Sequence, residues 1–332
     1  MSPCVYESFS AALASGLSDL LRHGEAAPPI VDPLSPASHF GTAPRPSIEL
    51  LAYTFTIENP RNLFALPQSK HIRWEYSIGQ FLWALAGSDD PEWLSYYHTG
   101  ARHFAHDGIS LCGAFGKRLF AYDGINQIKQ VIERLRRDPG TRRAFASICT
   151  PSDNRTETRE FPCSAGIQYF LRDGKLHSIT YMRAQHALNL LPHDVFLFVA
   201  LQFYVAWQLR ASIGHYTHVC GTLHVYEDER ALASAVSAET IPAADLGWFD
   251  GEEDAISNLW QYEAALRSAV LNGDQDAVTS FAYSKFPSGS FSEQAAAILL
   301  QFAYRKLGMT DLEGELVATA AEPLRAILQY CQ

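Results

Sequence analysis

The spacing of apolar positions changes several times along the chain, and each change predicts an element. Ser47–Ile57 is rich in strand formers. Residues 77–86 repeat apolar side chains at helical spacing and end at Gly87, a helix-terminating residue. Ile125, Ile128, Ile132 and Leu135 form a stripe that predicts a helix capped by Asp123 and closed at Asp138-Pro139-Gly140. Strands are expected at 144–149, 166–171 and 175–183, the last two joined by Asp173-Gly174, a strong hairpin signal. An apolar helix over 193–212 precedes a strand over 215–226. Strand side chains alternate, so Tyr216, His218, Cys220, Thr222, His224 and Tyr226 are expected on one face, open to chemistry. Val219, Leu223 and Val225 would pack on the other.

Toward the ends the pattern is weaker. Residues 26–46 are rich in Pro, Ala and Ser, and 1–46 is read as an irregular lead-in to a catalytic domain over 1–245. Beyond Trp248, segments 256–271, 292–307 and 322–330 are Ala-, Leu- and Glu-rich. They predict a helical C-terminal extension over 246–332. The fold class expected is α/β (α+β), a mixed sheet flanked by helices.

Composition narrows the function. With 332 residues, 47% of them hydrophobic, the chain can bury a large core. A net charge of -10 argues against a broad electrostatic grip on nucleic acid, although a local arginine cluster could hold a small anion. The first residues lack a secretory pattern, and the most apolar stretch, 195–209, is too short to span a bilayer. No membrane partner is expected. The six cysteines form no C-x-x-C pair and no disulfide-rich spacing, so reduced thiols and a cytoplasmic location are expected; no metal is expected.

Cys163 lies in Glu160-Phe161-Pro162-Cys163-Ser164, directly before the hairpin. A cysteine alone is more often a small buried hydrophobe than a nucleophile. Its surroundings change that reading. Thr141-Arg142-Arg143 precedes it; Gln168, Arg183, Leu191-Pro192-His193-Asp194, and His224 and Tyr226 follow in order. Upstream stand Trp83-Ala84-Leu85-Ala86-Gly87 and Phe115-Gly116. Together these resemble the thymidylate synthase family and its nucleotide hydroxymethylase relatives over about residues 74–226, closest in pattern to the cytidylate hydroxymethylases.

That resemblance implies roles. Cys163 would add to C6 of a pyrimidine, because a thiolate is a soft nucleophile partly ionised near neutral pH. Arg183 would hold the phosphate of a pyrimidine nucleoside monophosphate and favour the thiolate. Arg142 and Arg143 would reach across a homodimer to the partner's phosphate. Arg45, Gln168 and Ala184 count among the substrate-binding positions, and His224 and Tyr226 match ribose contacts. Asp194 stands where an asparagine reads uracil, and an aspartate there marks the cytidylate enzymes. It could equally cap a helix beginning at Val195. The co-substrate implied is methylenetetrahydrofolate, with His186 and Trp83 at cofactor positions.

Departures bear on the chemistry. Gln80 replaces the family's catalytic glutamate and cannot shuttle protons. Ala184 replaces a serine, which favours CMP, a ribonucleotide used in some antibiotic-nucleoside pathways, over dCMP. His186 replaces a folate-contacting aspartate, and the tail that closes over folate is not recognisable. Three readings result: a CMP (or dCMP) 5-hydroxymethyltransferase, thymidylate synthase itself, or a non-catalytic nucleotide-binding relative.

Overall fold

A computed structural model describes residues 4–28, 45–105, 107–155, 160–245, 247 and 255–332. In chain order the strands are β1 (Cys4–Tyr6), β2 (Glu25–Ala27), β3 (Ser47–Ile57), β4 (Phe64–Ala65), β5 (Phe145–Ser147), β6 (Ser164–Arg172), β7 (Lys175–Met182), β8 (Gln185–His186), β9 (Ser212–Tyr226) and β10 (Ala243–Ala244). The main sheet follows the order β1-β3-β9-β7-β6-β5, with β2 added to β3 and β8 to β9; β4 and β10 pair separately. Parallel pairings (β1 with β3, β7 and β8 with β9) stand beside antiparallel ones, so the sheet is mixed. The β6–β7 hairpin turns where the sequence predicts. Asp173 and Gly174 both hold positive φ, 49° and 72°, as a type I′ turn requires.

Helices cover the sheet: α1 (Phe9–His23), α2 (Trp74–Leu85), α3 (Pro91–Tyr97), α4 (Phe115–Phe120), α5 (Gln127–Arg137), α6 (Leu191–Leu209) and α7 (Arg230–Ser237). α6 is buried along nearly its whole length, which explains an apolar pattern with no polar face. Its one buried amide is satisfied. Gln202 accepts from Ser178 Oγ at 2.9 Å and donates to the Leu176 carbonyl at 2.8 Å, tying the helix to β7.

Five helices follow: α8 (Ala255–Leu271), α9 (Gln275–Thr279), α10 (Phe291–Lys306), α11 (Thr310–Thr319) and α12 (Leu324–Tyr330). They pack against α2 and α3. Phe291 meets Phe81 edge-on at 6.2 Å, Phe302 stacks on Tyr97 at 5.4 Å, and Glu263 accepts from both Trp93 Nε1 and the Tyr97 hydroxyl. The Tyr330 hydroxyl closes the arrangement by donating to the Lys70 carbonyl and accepting from Ile72 N–H, both at 2.6 Å.

Phe115-Gly116 has a steric cause. A Cβ on Gly116 would stand 2.2 Å from Ala84 Cα and 2.5 Å from its carbonyl oxygen. α4 therefore approaches the α2 backbone in a way only glycine permits. Gly116→Ala is expected to destabilise the fold by about 1–3 kcal/mol or more, read as a lowered midpoint in denaturant; an unchanged midpoint would show that the two helices separate freely.

Several expectations are corrected. The lead-in over 1–46 is not irregular throughout: α1 occupies Phe9–His23, with Ser8 accepting from Ala11 N–H as its cap and Phe9, Leu13, Leu17 and Leu20 buried. β2 follows it, while 29–44 lies outside the described residues. Asn126, not Asp123, caps α5 and accepts from Lys129 N–H, whereas Asp123 sits in a turn at φ 49°. α6 begins at Leu191, so Asp194 is inside its first turn and makes no capping bond.

The alternation along β9 also changes phase. Tyr216, His218 and Cys220 are buried, but past Gly221 it is Leu223 and Val225 that pack inward. The partner strand shows the same irregularity, with Ala52 at φ 55°. Gly221 lies so close to the chain at Arg183 that a Cβ would sit 2.6 Å from its carbonyl oxygen. His224 and Tyr226 are thus not on the face that carries His218.

Candidate active site

The site is assembled from the loop before β6, the β7–β8 connection and the first turn of α6. Pro192 stands at the start of α6, where its missing N–H costs nothing, and Asp194 follows where the helix dipole tolerates negative charge. Burial nevertheless raises the Asp194 carboxyl to about 7, countered by a hydrogen bond from Gln185. That bond, Gln185 Nε2 to Asp194 Oδ2 at 2.9 Å, ends a directed chain. Gln185 Oε1 can only accept, so His218 Nε2 donates to it at 3.0 Å. His218 Nδ1 then accepts from the Tyr216 hydroxyl at 2.7 Å. Burial holds His218 down at about 3, so the ring is neutral with one N–H, as the chain needs.

Cys163 is anchored by Arg183. The Arg183 N–H donates to the Cys163 carbonyl at 2.7 Å, its Nε to the Pro162 carbonyl and its Nη2 to the Phe161 carbonyl, both at 2.9 Å. Nη2 also lies 3.7 Å from Cys163 Sγ. The expectation of a partly ionised thiol needs correction. Burial first, then the charges of Asp194 and Glu160, push the thiol up to about 11, outweighing Arg183, which lowers it. In the free protein the sulfur carries its proton at neutral pH.

Glu160 was not singled out by sequence reasoning. Its carboxyl accepts from Gly113 N–H at 2.9 Å, and its carbonyl accepts from Cys112 Sγ. Burial raises it to about 7. Glu160 and Asp194 both act electrostatically on Tyr76 and on Cys163, which puts the two carboxyls, the phenol and the thiol in one neighbourhood. Tyr76 packs edge-on against His193 at 4.9 Å, and His193 Nδ1 bonds Ser77 Oγ at 2.7 Å. Beneath the loop, Arg118 makes a buried double ion pair with Asp153 and donates to the Cys112 and Ile148 carbonyls.

The remaining candidates divide into two groups. His224 and Tyr226 stand beside His186, with ring centroids 5.4 Å and 5.2 Å away. Asn189 N–H donates to His186 Nδ1, so Nε2 carries the proton and donates to Glu229 at 2.7 Å. Glu229 is held at about 2: burial opposes this, but His186 and Arg45 outweigh it. Arg45 is engaged by Asp228 at 2.6 Å and lies 3.9 Å over the Tyr226 ring. Ala184 is half-buried next to Arg183.

Arg142 and Arg143 are exposed beside Arg134 and Arg137, and the Arg142 carbonyl accepts from Gln168 Nε2 at 3.0 Å. Trp83 is buried, with its N–H committed to the Asp90 carbonyl. Gln80 Oε1 is buried without a hydrogen-bond partner. Among the described residues no group of three His, Cys, Asp or Glu could hold a metal, and no helix is long and apolar enough to cross a membrane.

Fold and site together define an α+β protein that gathers a thiol, a guanidinium and a buried carboxyl around the start of one helix. The family model for thymidylate synthase matches residues 41–258, well over half the chain, and the chain belongs to the thymidylate synthase family. It is 27% identical over 194 residues to a deoxyuridylate hydroxymethyltransferase of Bacillus phage SP01, covering 54% of this chain and 51% of that protein. It is 22% identical over 197 residues to a thymidylate synthase of Mycoplasma genitalium, covering 50% and 68%. A third relative, a putative thymidylate synthase of Methanocaldococcus jannaschii, is 31% identical over 122 residues, covering 34% and 55%. The chain therefore spans about half to two thirds of the length of these relatives. Thermostable thymidylate synthase A from Bacillus subtilis shares the fold, with a TM-score of 0.61 at 21% identity over 72% of this chain and 88% of that one.

Proposed function

We propose that the protein is a pyrimidine nucleotide C5-hydroxymethyltransferase that converts CMP, or dCMP, to its 5-hydroxymethyl derivative using methylenetetrahydrofolate. The observation that carries this reading is the pairing of Cys163 with Arg183, beside a buried Asp194 whose charge acts on that thiol and whose second oxygen is already committed to Gln185. Cys163 Sγ adds to C6 of the base, and Arg183, with Arg142 and Arg143 of a partner copy, holds the phosphate. His224 and Tyr226 bind the sugar, and Ala184 leaves room for a 2'-hydroxyl. Asp194 accepts from the cytosine 4-amino group.

The co-substrate fits these residues in part. Where the family has a folate-contacting aspartate this chain has His186, but His186 is bonded to Glu229, so an ionised carboxylate is still supplied there. When bound, methylenetetrahydrofolate supplies the one-carbon unit. The helices of 246–332 serve as a buttress for α2, and the protein works in the cytoplasm as a homodimer.

A second reading, a nucleotide-binding relative without turnover, is favoured by the unpartnered Gln80 oxygen and the protonated resting thiol. The test incubates the protein with C5-tritiated CMP, dCMP or dUMP, with and without methylenetetrahydrofolate. Tritium release and a hydroxymethyl product by mass are expected with CMP or dCMP. Release from dUMP with a methyl product would make it a thymidylate synthase, and binding without release from any nucleotide would establish the second reading.

A further inference from the structure

We propose that Gln185 sets base choice in this site: it holds the Asp194 carboxylate in one orientation, and His218 and Tyr216 hold Gln185 in turn. The inference rests on the nucleotide reading above and deepens it by naming what fixes the cytosine preference. Gln185 is buried and bonded to Asp194, so it is a positioning residue that acts through that carboxylate.

Asp194 lies inside the first turn of α6 without a capping bond to its own helix. Its Oδ2 accepts from Gln185 Nε2 at 2.9 Å. An ionised carboxylate can only accept, so the amide turns its NH₂ to Asp194 and its oxygen away. Oε1 then takes the His218 Nε2–H at 3.0 Å, which leaves Nδ1 to accept from the Tyr216 hydroxyl at 2.7 Å. All four residues are buried, where an unmade hydrogen bond costs most. The backbone and the ring are held as well. Gln185 pairs in register with Leu223 between β8 and β9, and the His218 ring stacks on Phe55 at 5.3 Å. The chain thus runs one way, from a phenol to a carboxylate, across β9, β8 and α6. One Asp194 oxygen is taken and the other stays an acceptor, the polarity that the cytosine 4-amino group matches and uracil O4 opposes.

The surroundings keep this polarity simple near neutral pH. The Asp194 charge acts on Tyr76, Cys163, Tyr216 and Cys220, each raised by burial and protonated at pH 7. His193, beside Asp194 in sequence, and His218, at the second link of the chain, are both held down at about 3 by burial. Glu160, also raised to about 7, keeps its titration in every variant below. Burial raises the Asp194 carboxyl and the Gln185 bond lowers it, so loss of that bond leaves the acid protonated to higher pH. A protonated carboxyl carries an O–H that can donate to uracil O4.

The test compares Gln185→Met with the wild type, measuring CMP and UMP affinity by equilibrium dialysis across pH and, separately, tritium release from the C5-tritiated nucleotides. The CMP-to-UMP affinity ratio at pH 7 is expected to fall about 10-fold, and the pH at which it climbs to move up by about one unit. Asp194→Asn in the Gln185→Met background should lose its swing toward uracil, because the amide is then free to present either end. Tyr216→Phe, which keeps the ring, should lower the ratio about threefold and carries the test if Gln185→Met does not fold. Gln202→Met is the matched control. It removes a buried α6 amide bonded to Ser178 and the Leu176 carbonyl, so it should lower stability while the ratio and its pH profile stay in place. A ratio and profile unchanged in both Gln185→Met and Tyr216→Phe would overturn the proposal, as would an equal fall in Gln202→Met, the mark of general loosening. A wild type that binds CMP and UMP alike would sink the cytosine reading and this proposal together. No tritium release, with the ratio falling as expected, would sink C5 transfer and leave this proposal standing.

Discussion

Cys163→Ser is expected to abolish tritium release from C5 of the nucleotide, by at least ~10³-fold, while leaving nucleotide affinity close to unchanged. Addition to C6 requires a soft, polarisable nucleophile, and a serine hydroxyl ionises far too rarely to substitute. The surroundings sharpen the case. With the thiol pushed up to about 11, it is almost wholly protonated at pH 7. Whatever activates the sulfur must therefore act when the nucleotide is present, and a further loss of acidity on replacement by oxygen leaves nothing to activate. Binding should survive because Arg183 is held by the backbone carbonyls of Phe161, Pro162 and Cys163, none of which depends on the sulfur. Cys149, whose Sγ donates to the Ser164 carbonyl at 3.3 Å, is the matched control: Cys149→Ser should release tritium at close to the wild-type rate. If Cys163→Ser works undiminished, or Cys149→Ser is the dead variant, the nucleophile has been assigned to the wrong sulfur.

What could be read in the sequence is what local pattern encodes. The β6–β7 hairpin announces itself through Asp173-Gly174 because only residues tolerant of positive φ make that turn. α6 is legible because an unbroken apolar run must be buried. α1 was also encoded, by Ser8 as cap and Phe9, Leu13, Leu17 and Leu20 at helical spacing, but the Pro-rich stretch after it drew the whole region into one irregular reading. The phase change in β9 was not legible, since a strict two-residue alternation holds only while no residue leaves the extended conformation. Ala52, on the neighbouring strand, does so without the glycine that would have signalled it. The site divides in the same way. Cys163, Arg183 and Asp194 carry their chemistry in their type and order. Glu160, Gln185 and the Arg118–Asp153 pair matter through partners distant in sequence, and nothing in a lone glutamine next to Ala184 says that it will meet His218 and Asp194.

Asp194→Asn is expected to swing base preference from cytosine toward uracil by about 5- to 150-fold, the ratio set by one unpaired buried polar group at about 1–3 kcal/mol. An isolated asparagine could turn either end to the base and serve both. The chain from Tyr216 through His218 to Gln185 removes that freedom, because Gln185 Nε2–H must meet an acceptor on residue 194. In the variant only the amide oxygen can accept, so the amide NH₂ takes the place of Oδ1. A donor there matches uracil O4 and opposes the cytosine 4-amino group. Wild-type cytosine preference should also strengthen as pH rises through about 7, where Asp194 becomes a pure acceptor, and the variant's should stay flat. Stability gives an independent check. Asp194 binds its proton more tightly folded than unfolded, so its favourable contribution is complete below the ordinary carboxylate value of about 4 and is lost as pH rises to about 7. The variant should therefore gain on the wild type across that window, by an amount on the order of a few kcal/mol in full, and hold the gain above it. A base preference that does not move, with a stability difference equally flat in pH, would mean that residue 194 neither faces the base nor holds a buried proton.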